Sequence, residues 1–304
     1  MEARFEKALL LYKQGEFNRT IEICIHLLES NSTSIEVIKL IAKSFLAKGK
    51  LDDARSFFHK ALIIQPYDFE VLKDLGNTYQ LGKDTLTARS YYQRAIEINS
   101  TYAPALTNLG IVELNAGNFK EALSLLVKAN RCDPKLTVCL INLVKAYIQM
   151  ENFSEAERLV LRAIELNSAN FDFHFLLSTI LIKQNKLEKA EDSLRKTIGI
   201  KPDFPQAHEN LGIVYKLLGK FNKAERSFSK AIELNPTQFN SHFNLSETLI
   251  LQRKLEKAEY SLIKTINLDP KHDISYTYLA SILIDLQRWN EALYYTNKAI
   301  SLNS

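Results

Sequence analysis

Four asparagines in the sequence are separated by multiples of 34 residues, and their side chains have the chemistry to bind a peptide backbone. They are Asn108, Asn142, Asn210 and Asn244. A carboxamide carries donors and an acceptor in one plane, which complements the N–H and C=O groups of a peptide unit. Asparagine is also a below-average helix former, because its amide competes for backbone hydrogen bonds. A regular row of these side chains would therefore hold an extended chain without selecting its side chains.

The segments that carry these asparagines repeat with the same period. Comparison of the sequence with itself gives eight repeats of 34 residues and a ninth of 32, without insertion or deletion. The repeats are 1–34, 35–68, 69–102, 103–136, 137–170, 171–204, 205–238, 239–272 and 273–304. Within each repeat, apolar residues recur at spacings of three and four over positions 2–14 and 15–28, which predicts two amphipathic helices. We therefore predict an all-α chain whose repeats stack into a single domain.

Small residues mark the places where the two helices of a repeat should meet. Position 20 is alanine in eight of the nine repeats, and position 8 is glycine in three. We expect these two positions to face each other, since small side chains allow two helix axes to approach closely. Glycine at position 15 is expected to end the first helix in a left-handed turn, where glycine is favoured. Proline at position 32, found in five repeats, stops the second helix.

One repeat carries a complete family pattern. The segment from Asn210 to Pro236, NLGIVYKLLGKFNKAERSFSKAIELNP, has the order large residue, Leu-Gly, Tyr, Gly-x-aromatic, Ala, aromatic, Ala, Pro. This pattern resembles the tetratricopeptide repeat family, and the resemblance covers the whole chain. Repeat 1 departs most, with Lys7 and Ala8 in place of Leu-Gly. The resemblance implies a right-handed α-solenoid superhelix of stacked antiparallel helix pairs, whose first helices line a concave groove for a protein or peptide partner.

Three histidines share the same spacing but are not expected to bind a metal. His174, His208 and His242 occupy position 4 of consecutive repeats. Equivalent positions in stacked helix pairs lie about two helix diameters apart, ~20 Å, whereas metal ligands lie within about 2 Å of the ion. We therefore expect a packing role. The sequence contains no glycine-rich phosphate loop, zinc-protease motif or nucleophile elbow, so we predict neither a cofactor nor an enzymatic activity.

The asparagines at position 6 allow two interpretations. In the first they bind a ligand, as the resemblance to the superhelical tetratricopeptide arms of nucleocytoplasmic O-linked glycosyltransferases implies. Those arms recruit protein substrates, and here Leu176 interrupts the row. In the second interpretation each asparagine hydrogen-bonds to the neighbouring repeat. The sequence leaves both open.

Other residues extend the predicted groove. Phe175 and Phe243, at position 5, would add apolar contacts, since an exposed apolar concavity usually marks a protein partner. Lys73, Asn77 and Asn108 resemble the first half of the clamp by which chaperone cofactors of this family hold a C-terminal carboxylate. The second half of the clamp is missing from the next repeat.

Composition narrows the class of protein. The 39 basic and 35 acidic residues are interleaved, and the net charge of +4 is mild, so we expect no nucleic-acid partner. No apolar run approaches the roughly 20 residues that span a membrane. The chain begins directly with repeat 1, and an odd set of three cysteines fits a reducing compartment. These features predict a cytoplasmic protein.

The sequence thus predicts a non-enzymatic scaffold that binds an extended peptide or a partner helix. The alternative is the N-terminal, substrate-recruiting region of a larger enzyme, of the glycosyltransferase or another transferase type, whose catalytic domain is not in this chain. A terminal repeat usually needs a polar capping helix, and none follows repeat 9. The apolar residues Leu293 and Ile300 on its last helix predict weak self-association through the C-terminal repeat.

Overall fold

Helices account for all the regular secondary structure in the part of the chain that the structure describes. This computed structural model describes residues 2–30 and 32–303, with only the backbone of Ser30. The first helices are α1 (Glu2–Lys13), α3 (Ile35–Ala47), α5 (Phe69–Leu81), α7 (Ala103–Asn115), α9 (Thr137–Gln149), α11 (Phe171–Lys183), α13 (Pro205–Leu217), α15 (Phe239–Leu251) and α17 (Asp273–Asp285). The second helices are α2 (Phe17–Ser30), α4 (Leu51–Ile64), α6 (Thr85–Ile98), α8 (Phe119–Cys132), α10 (Phe153–Leu166), α12 (Leu187–Ile200), α14 (Phe221–Leu234), α16 (Leu255–Leu268) and α18 (Trp289–Leu302). None of these helices is long and apolar enough to cross a lipid bilayer.

The helices form two compact units, Met1–Glu151 and Asn152–Ser304. Unit 1 contains α1 to α9 and unit 2 contains α10 to α18. Within each unit every helix packs against the next helix along the chain. The all-α stack of helix pairs is therefore confirmed inside each unit, and the assignment of all nine repeats to one domain stays a prediction.

The core between paired helices uses the predicted small residues and adds a contact that the sequence did not predict. The alanines at position 20 are 0 to 3% exposed: Ala54, Ala88, Ala122, Ala156, Ala190, Ala224, Ala258 and Ala292. A Cβ atom at Gly212 would lie 2.6 Å from the ring of Phe228, and one at Gly76 would lie 2.5 Å from the ring of Tyr92. Both rings stand at position 24. Positions 8 and 20 also meet, as expected: a Cβ atom at Gly110 would lie 3.5 Å from the backbone oxygen of Ala122, and Thr20 Oγ1 donates to the backbone oxygen of Ala8 at 3.5 Å. Glycine at position 8 makes room for the large side chain at position 24.

The turn between the two helices has one conformation in both glycine and non-glycine repeats. Position 15 has a positive φ of 70° to 80° at its four glycines and of 55° to 65° at five other residues. Those five are Lys83, Glu151, Asn185, Arg253 and Gln287. Because position 15 is left-handed and position 16 is the non-helical N-cap, the second helix begins at position 17 and not at 15 as the apolar pattern indicated. The requirement for this turn is geometric, and the sequence meets it with glycine in only some repeats.

The repeated histidines have the packing role that their spacing predicts. In each case Nε2 donates to the backbone oxygen at position 32 of the preceding repeat: His174 to Ser168 at 2.9 Å, His208 to Pro202 at 2.8 Å and His242 to Pro236 at 3.0 Å. The hydroxyl of Tyr276, at the same position, donates to Pro270 at 3.2 Å. The described residues contain no group of three or more His, Cys, Asp or Glu side chains placed to hold a metal ion.

Candidate peptide-binding face

First helices of neighbouring repeats touch each other within each unit. Such contacts join α1 to α3, α3 to α5 and α7 to α9 in unit 1, and α11 to α13 and α13 to α15 in unit 2. Among the described residues, second helices of neighbouring repeats make no comparable contact. The first helices therefore lie on one side of each unit, which we call the first-helix face.

In unit 2 this face contains a cleft of about 480 Å³ between α13, α15 and α17. Its lining is mostly apolar, with charged groups at the edges: Lys216, Glu247, Ile250, Leu251, Tyr278, Ser281, Ile282 and Asp285. Leu251 is 57% exposed although it lines the cleft. We call this site the α13–α17 cleft. A half-exposed leucine at a concave site is the type of residue that a bound partner covers.

One wall of the α13–α17 cleft is a polar cluster that joins three repeats. The Lys216 ammonium lies 2.6 Å from Glu247 Oε2 and donates to Asn244 Oδ1 at 2.8 Å. The Tyr278 hydroxyl donates to Glu247 Oε1 at 3.4 Å. Burial and the Glu247 carboxylate raise the pKa of Tyr278, so its phenol stays a neutral donor at neutral pH. The cluster fixes these side chains and leaves no unpaired charge on this wall.

Stacked aromatic rings support the cleft from α15. The Phe243 ring is 5.7 Å from that of Tyr278 and 6.2 Å from that of Phe239, both nearly parallel to it. The ring of His272 approaches Phe243 edge-on at 5.0 Å. Phe243 is therefore a half-buried support behind the lining residues, placed by contacts with both the loop and the helix of the next repeat.

Phe175 makes the same kind of contact elsewhere in unit 2. Its ring meets that of Phe204 edge-on at 4.9 Å, and Phe171 meets the same ring at 5.3 Å. Phe204 stands at position 34, as His272 does, so a contact between positions 5 and 34 recurs. Phe175 does not line the α13–α17 cleft.

The four asparagines at position 6 have different environments. Asn108 Nδ2 donates to Asn77 Oδ1 of the preceding repeat at 2.8 Å, as the structural interpretation predicts. Asn142 Nδ2 donates to the backbone oxygen of Val138 at 2.8 Å, within its own helix. Asn244 Nδ2 makes the same bond within its helix, to the backbone oxygen of Asn240 at 2.9 Å.

Asn210 differs from the other three, because its amide has no hydrogen bond to any described residue. It lies half-buried on α13, the helix that also carries the Lys216 wall of the α13–α17 cleft. Asn108 and Asn142 belong to unit 1, whereas Asn210 and Asn244 belong to unit 2. A ligand-binding role for the row stays a prediction, and Asn210 is the member whose amide is available.

The residues that resemble a carboxylate clamp are bound to other groups of unit 1. The Lys73 ammonium is paired with the adjacent, buried Asp74. Asn77 Oδ1 accepts both from Asn108 and from the Tyr92 hydroxyl, the latter at 2.8 Å. Binding a carboxylate here would require these groups to exchange their partners.

Sequence reasoning missed a series of ion pairs between consecutive repeats of unit 2. In each, a base at position 16 meets the glutamate at position 21 of the preceding repeat. The pairs are Lys186–Glu157 at 3.1 Å, Lys220–Glu191 at 3.1 Å, Lys254–Glu225 at 2.6 Å and Arg288–Glu259 at 2.7 Å. Opposite charges 29 residues apart, recurring with the repeat, are a signal that could have revealed these ion pairs. We call these contacts the ion-pair series.

Comparison with protein-family models identifies the class. Four models described as tetratricopeptide repeat match residues 91–124 and 227–260, 113–168, 141–208 and 205–238, and together they cover residues 91–260. The chain belongs to the tetratricopeptide repeat family, whose members bind protein or peptide partners. A search of curated proteins gave no significant match.

Solved structures with low sequence identity confirm the fold. A chain of the APC/C hetero-tetramer Cut9-Hcn1 is 16% identical with a TM-score of 0.70, covering 91% of this chain and 54% of that one. A tetratricopeptide repeat protein from Parabacteroides merdae is 18% identical with a TM-score of 0.64, covering 82% and 99%. YrrB, described as a TPR protein with an unusual peptide-binding site, is 23% identical with a TM-score of 0.50, covering 60% and 95%. This chain thus spans about half the length of the Cut9-Hcn1 chain.

Proposed function

We propose that this protein is an interaction scaffold that binds a protein segment in the α13–α17 cleft. The observation that carries the proposal is the half-exposed Leu251 above an apolar floor whose charged neighbours are already paired. Such a site favours an aliphatic or aromatic side chain of the partner, because no charge on the Lys216 wall must lose its counter-ion on binding.

The backbone of the bound segment also has a candidate partner. The amide of Asn210 has no bond to a described residue and can pair with one peptide unit. The proposal keeps the other predicted residues as positioning residues, because each is held by neighbours. They are Asn108, Asn142, Asn244, Phe175, Phe243, Lys73 and Asn77. This reduces the predicted row of four amides to one free amide.

The test uses two leucines at the same repeat position. Short peptides are selected from a random library on the wild-type protein, and their affinities are measured for Leu251→Glu and for Leu81→Glu. Leu81 is position 13 of unit 1 and is 64% exposed, so both variants should fold. We expect Leu251→Glu to weaken binding by about tenfold or more, because it places a charge against the apolar anchor. Equal losses in the two variants, or no selected peptide, would reject the cleft.

The asparagine row is tested separately. Changing Asn210 to alanine should weaken peptide binding and leave the thermal midpoint unchanged. Changing Asn108 to alanine should lower stability by about 1 kcal/mol, because it removes a hydrogen bond between repeats. If only the variant with all four asparagines changed lost binding, the row and not the single amide would be the binding element.

The same cleft would also serve a substrate-recruiting region of a larger enzyme. That alternative adds a catalytic domain outside residues 1–304, and reading the gene to both ends of its coding sequence distinguishes it from the scaffold. A cytoplasmic location likewise stays a prediction, which cell fractionation tests.

A second surface supports weak self-association. Trp289, Leu293 and Ile300 of α18 are 62, 62 and 63% exposed, and with the exposed Thr296 they form one uncharged stripe. On α1, the exposed Lys7 takes a position that is leucine or isoleucine in the other repeats, so covering α1 with this stripe would bury a charge. We therefore favour α18 packing against α18 of a second copy.

The only tryptophan of the chain reports on this contact. On concentration, the emission of Trp289 should shift to shorter wavelength while sedimentation shows a dimer, and Leu293→Glu should abolish both changes. A dimer whose Trp289 emission does not shift would place the contact elsewhere.

A further inference from the structure

A second cleft in unit 2 lies between α12, α13 and α14 and shares no lining residue with the α13–α17 cleft. It has a volume of about 540 Å³. Its floor is apolar, formed by Ile198, Leu211 and Tyr215. Its rim carries positive or hydrogen-bonding side chains: Arg195, His208, Lys223, Arg226 and Ser227. None of its lining residues is acidic, and we call it the cationic cleft.

The next repeat provides a matched cleft with different charges. That cleft, of about 400 Å³, is lined by two carboxylates, Glu225 and Glu256, and by a single cation, Lys257. Lys257 is equivalent to Lys223, whereas Ser229 and Tyr260 stand where the cationic cleft has Arg195 and Arg226. The repeat geometry therefore creates both clefts, and only the side chains make one of them positive.

The positive groups of the cationic cleft are available to a ligand. Arg226 is exposed and has no ion-pair partner among the described residues. The Lys223 ammonium lies over the Tyr215 ring, 5.5 Å from its centre, and makes no ion pair with a described residue. Ser227 is only 8% exposed and its hydroxyl has no partner in the described part of the chain, so it is a buried donor facing the cleft.

Arg195 is held in place but keeps free donors. Its guanidinium donates to Glu191 Oε1 at 3.0 Å and to the Tyr215 hydroxyl at 3.0 Å. Its side chain is nevertheless 57% exposed. With a further bond from Nε to Glu191 Oε1 at 3.1 Å, three hydrogen bonds orient the planar group and leave the N–H groups of Nη1 for an anion, which reduces the entropy lost on binding.

The mouth of the cationic cleft lacks a carboxylate found in other repeats. Position 29 is glutamate in repeats 1, 3, 5 and 7, as Glu29, Glu97, Glu165 and Glu233. In repeat 6 it is Gly199, and no heavy atom lies within 4 Å of the place that a Cβ would take. The glycine both opens the cleft and removes a group that would repel an anion.

We propose that the cationic cleft binds an anionic protein segment, in which a carboxylate or phosphate side chain neighbours an aliphatic or aromatic one. The anion meets the rim through Arg195, Arg226 and Lys223, whose geometry suits oxyanions. The neighbouring side chain covers the floor at Leu211 and Tyr215, which a free inorganic anion would leave in water. This site is independent of the α13–α17 cleft and adds a second ligand class to the scaffold.

Fluorescence anisotropy with three labelled peptides tests the proposal. The first alternates glutamate with leucine, the second has phosphoserine in place of glutamate, and the third has glutamine there. We expect the two anionic peptides to bind and the glutamine peptide to fail. Arg226→Glu or Lys223→Glu should weaken binding by about tenfold or more, because each replaces an attraction with a repulsion. Neither residue has an ion pair to lose, so folding, checked by circular dichroism, should be unchanged.

The matched cleft supplies the control. Lys257→Glu changes the net charge by the same amount, one repeat away, and should alter the affinity by less than about twofold. Equal affinity for the two anionic peptides assigns the site to carboxylate-rich segments, and tighter binding of the phosphoserine peptide assigns it to phosphorylated ones. The proposal is wrong if neither anionic peptide binds, or if Lys257→Glu weakens binding as much as Arg226→Glu. It is also wrong if duplex DNA competes for the site and loses affinity in the same variants.

Discussion

The two units use the same contact between repeats with different chemistry. Position 5 of a first helix meets position 34 at the end of its repeat in both. In repeat 2 of unit 1 this contact is an ion pair, Lys39–Asp68 at 3.0 Å, whereas in repeat 6 of unit 2 it is the aromatic contact of Phe175 with Phe204. The two charges of the ion pair neutralise each other, whereas the aromatic contact leaves apolar surface nearby. In repeat 8 the aromatic contact joins Phe243 to His272, behind the residues that line the α13–α17 cleft.

A second contact reverses its charge between the units. Position 21 of a second helix reaches position 11 of the next repeat. In repeats 2 and 3 of unit 1 position 21 is a base: Arg89 pairs with Glu113 at 2.7 Å, and Arg55 lies over the ring of Tyr79, 4.4 Å from its centre. In repeats 5 to 8 position 21 is glutamate, and Glu191 accepts from the Tyr215 hydroxyl at 3.1 Å. The fold therefore requires a contact between these positions and does not specify its sign.

The largest difference between the two units should appear in the free energy of unfolding when one partner of an ion pair is removed from each. Glu113 is fully buried, and its remaining bond is to Asn118 at 2.8 Å, so Arg89→Ala should lower the free energy of unfolding by about 3 kcal/mol. Arg288→Ala breaks the partly exposed pair with Glu259 in unit 2 and should cost much less, because water screens exposed charges. Urea unfolding measures both. Similar costs would show that burial does not distinguish the two sets of pairs.

Overpacking at position 20 should affect the two units equally. Ala88 in unit 1 and Ala224 in unit 2 are both fully buried. Replacing either by leucine should separate the helix pair and cost about 1–3 kcal/mol. Thermal unfolding monitored by circular dichroism checks this. A variant with wild-type stability would mean that the repeat register is wrong in that unit.

Acid should weaken the ion-pair series of unit 2. Burial alone would raise the pKa of Glu191, but hydrogen bonds from Lys220, Tyr215 and Arg195 lower it below its ordinary value of 4.5. Burial would also raise the pKa of Glu157, but the hydrogen bond from Lys186 lowers it, and the resulting pKa lies below its ordinary value. A carboxylate with a lowered folded-state pKa stabilises the protein above its unfolded value, and this stabilisation is lost as the pH falls through the folded value.

Hydrogen exchange of α12 and α14 measures this loss. Protection should fall as the pH drops below about 4.5, and Glu191→Gln should reduce the dependence because it removes the titrating group. The corresponding contact of unit 1 joins Arg55 to the ring of Tyr79 and includes no carboxylate. Loss of protection at α4 equal to that at α12 would contradict the assignment to unit 2.

The smallest effect concerns the left-handed turns. Lys83 in unit 1 and Gln287 in unit 2 have φ values of 65° and 59°, which cost a side-chain-bearing residue more than glycine. Lys83→Gly and Gln287→Gly should each raise stability by about 0.5–1 kcal/mol, since relief of strain exceeds the added flexibility of the unfolded chain. The two variants should agree within error, and destabilisation in either would show that its side chain makes a contact worth more than the strain.

The sequence predicts the periodic features of this protein and not its sites. The helices, the buried alanines at position 20 and the packing role of His174 depend on periodicity within the chain, which the sequence displays directly. The ring of Phe228 against Gly212 was not predicted, because a small residue shows only that something large is near and not which residue it is. The α13–α17 cleft and the free amide of Asn210 depend on which side chains of consecutive repeats pair with each other. Residues of the same type at the same repeat position can differ in this respect, as Asn108 and Asn210 do.

The ion-pair series also has a mechanical consequence. Its four pairs lie at equivalent positions, so they follow one edge of unit 2, where each joins a repeat to the next. Bending the unit away from that edge must lengthen the pairs together, and an attraction between partly exposed charges weakens gradually with distance and is reduced by dissolved ions. The resistance of this edge to bending is therefore weak, and it depends on the salt concentration.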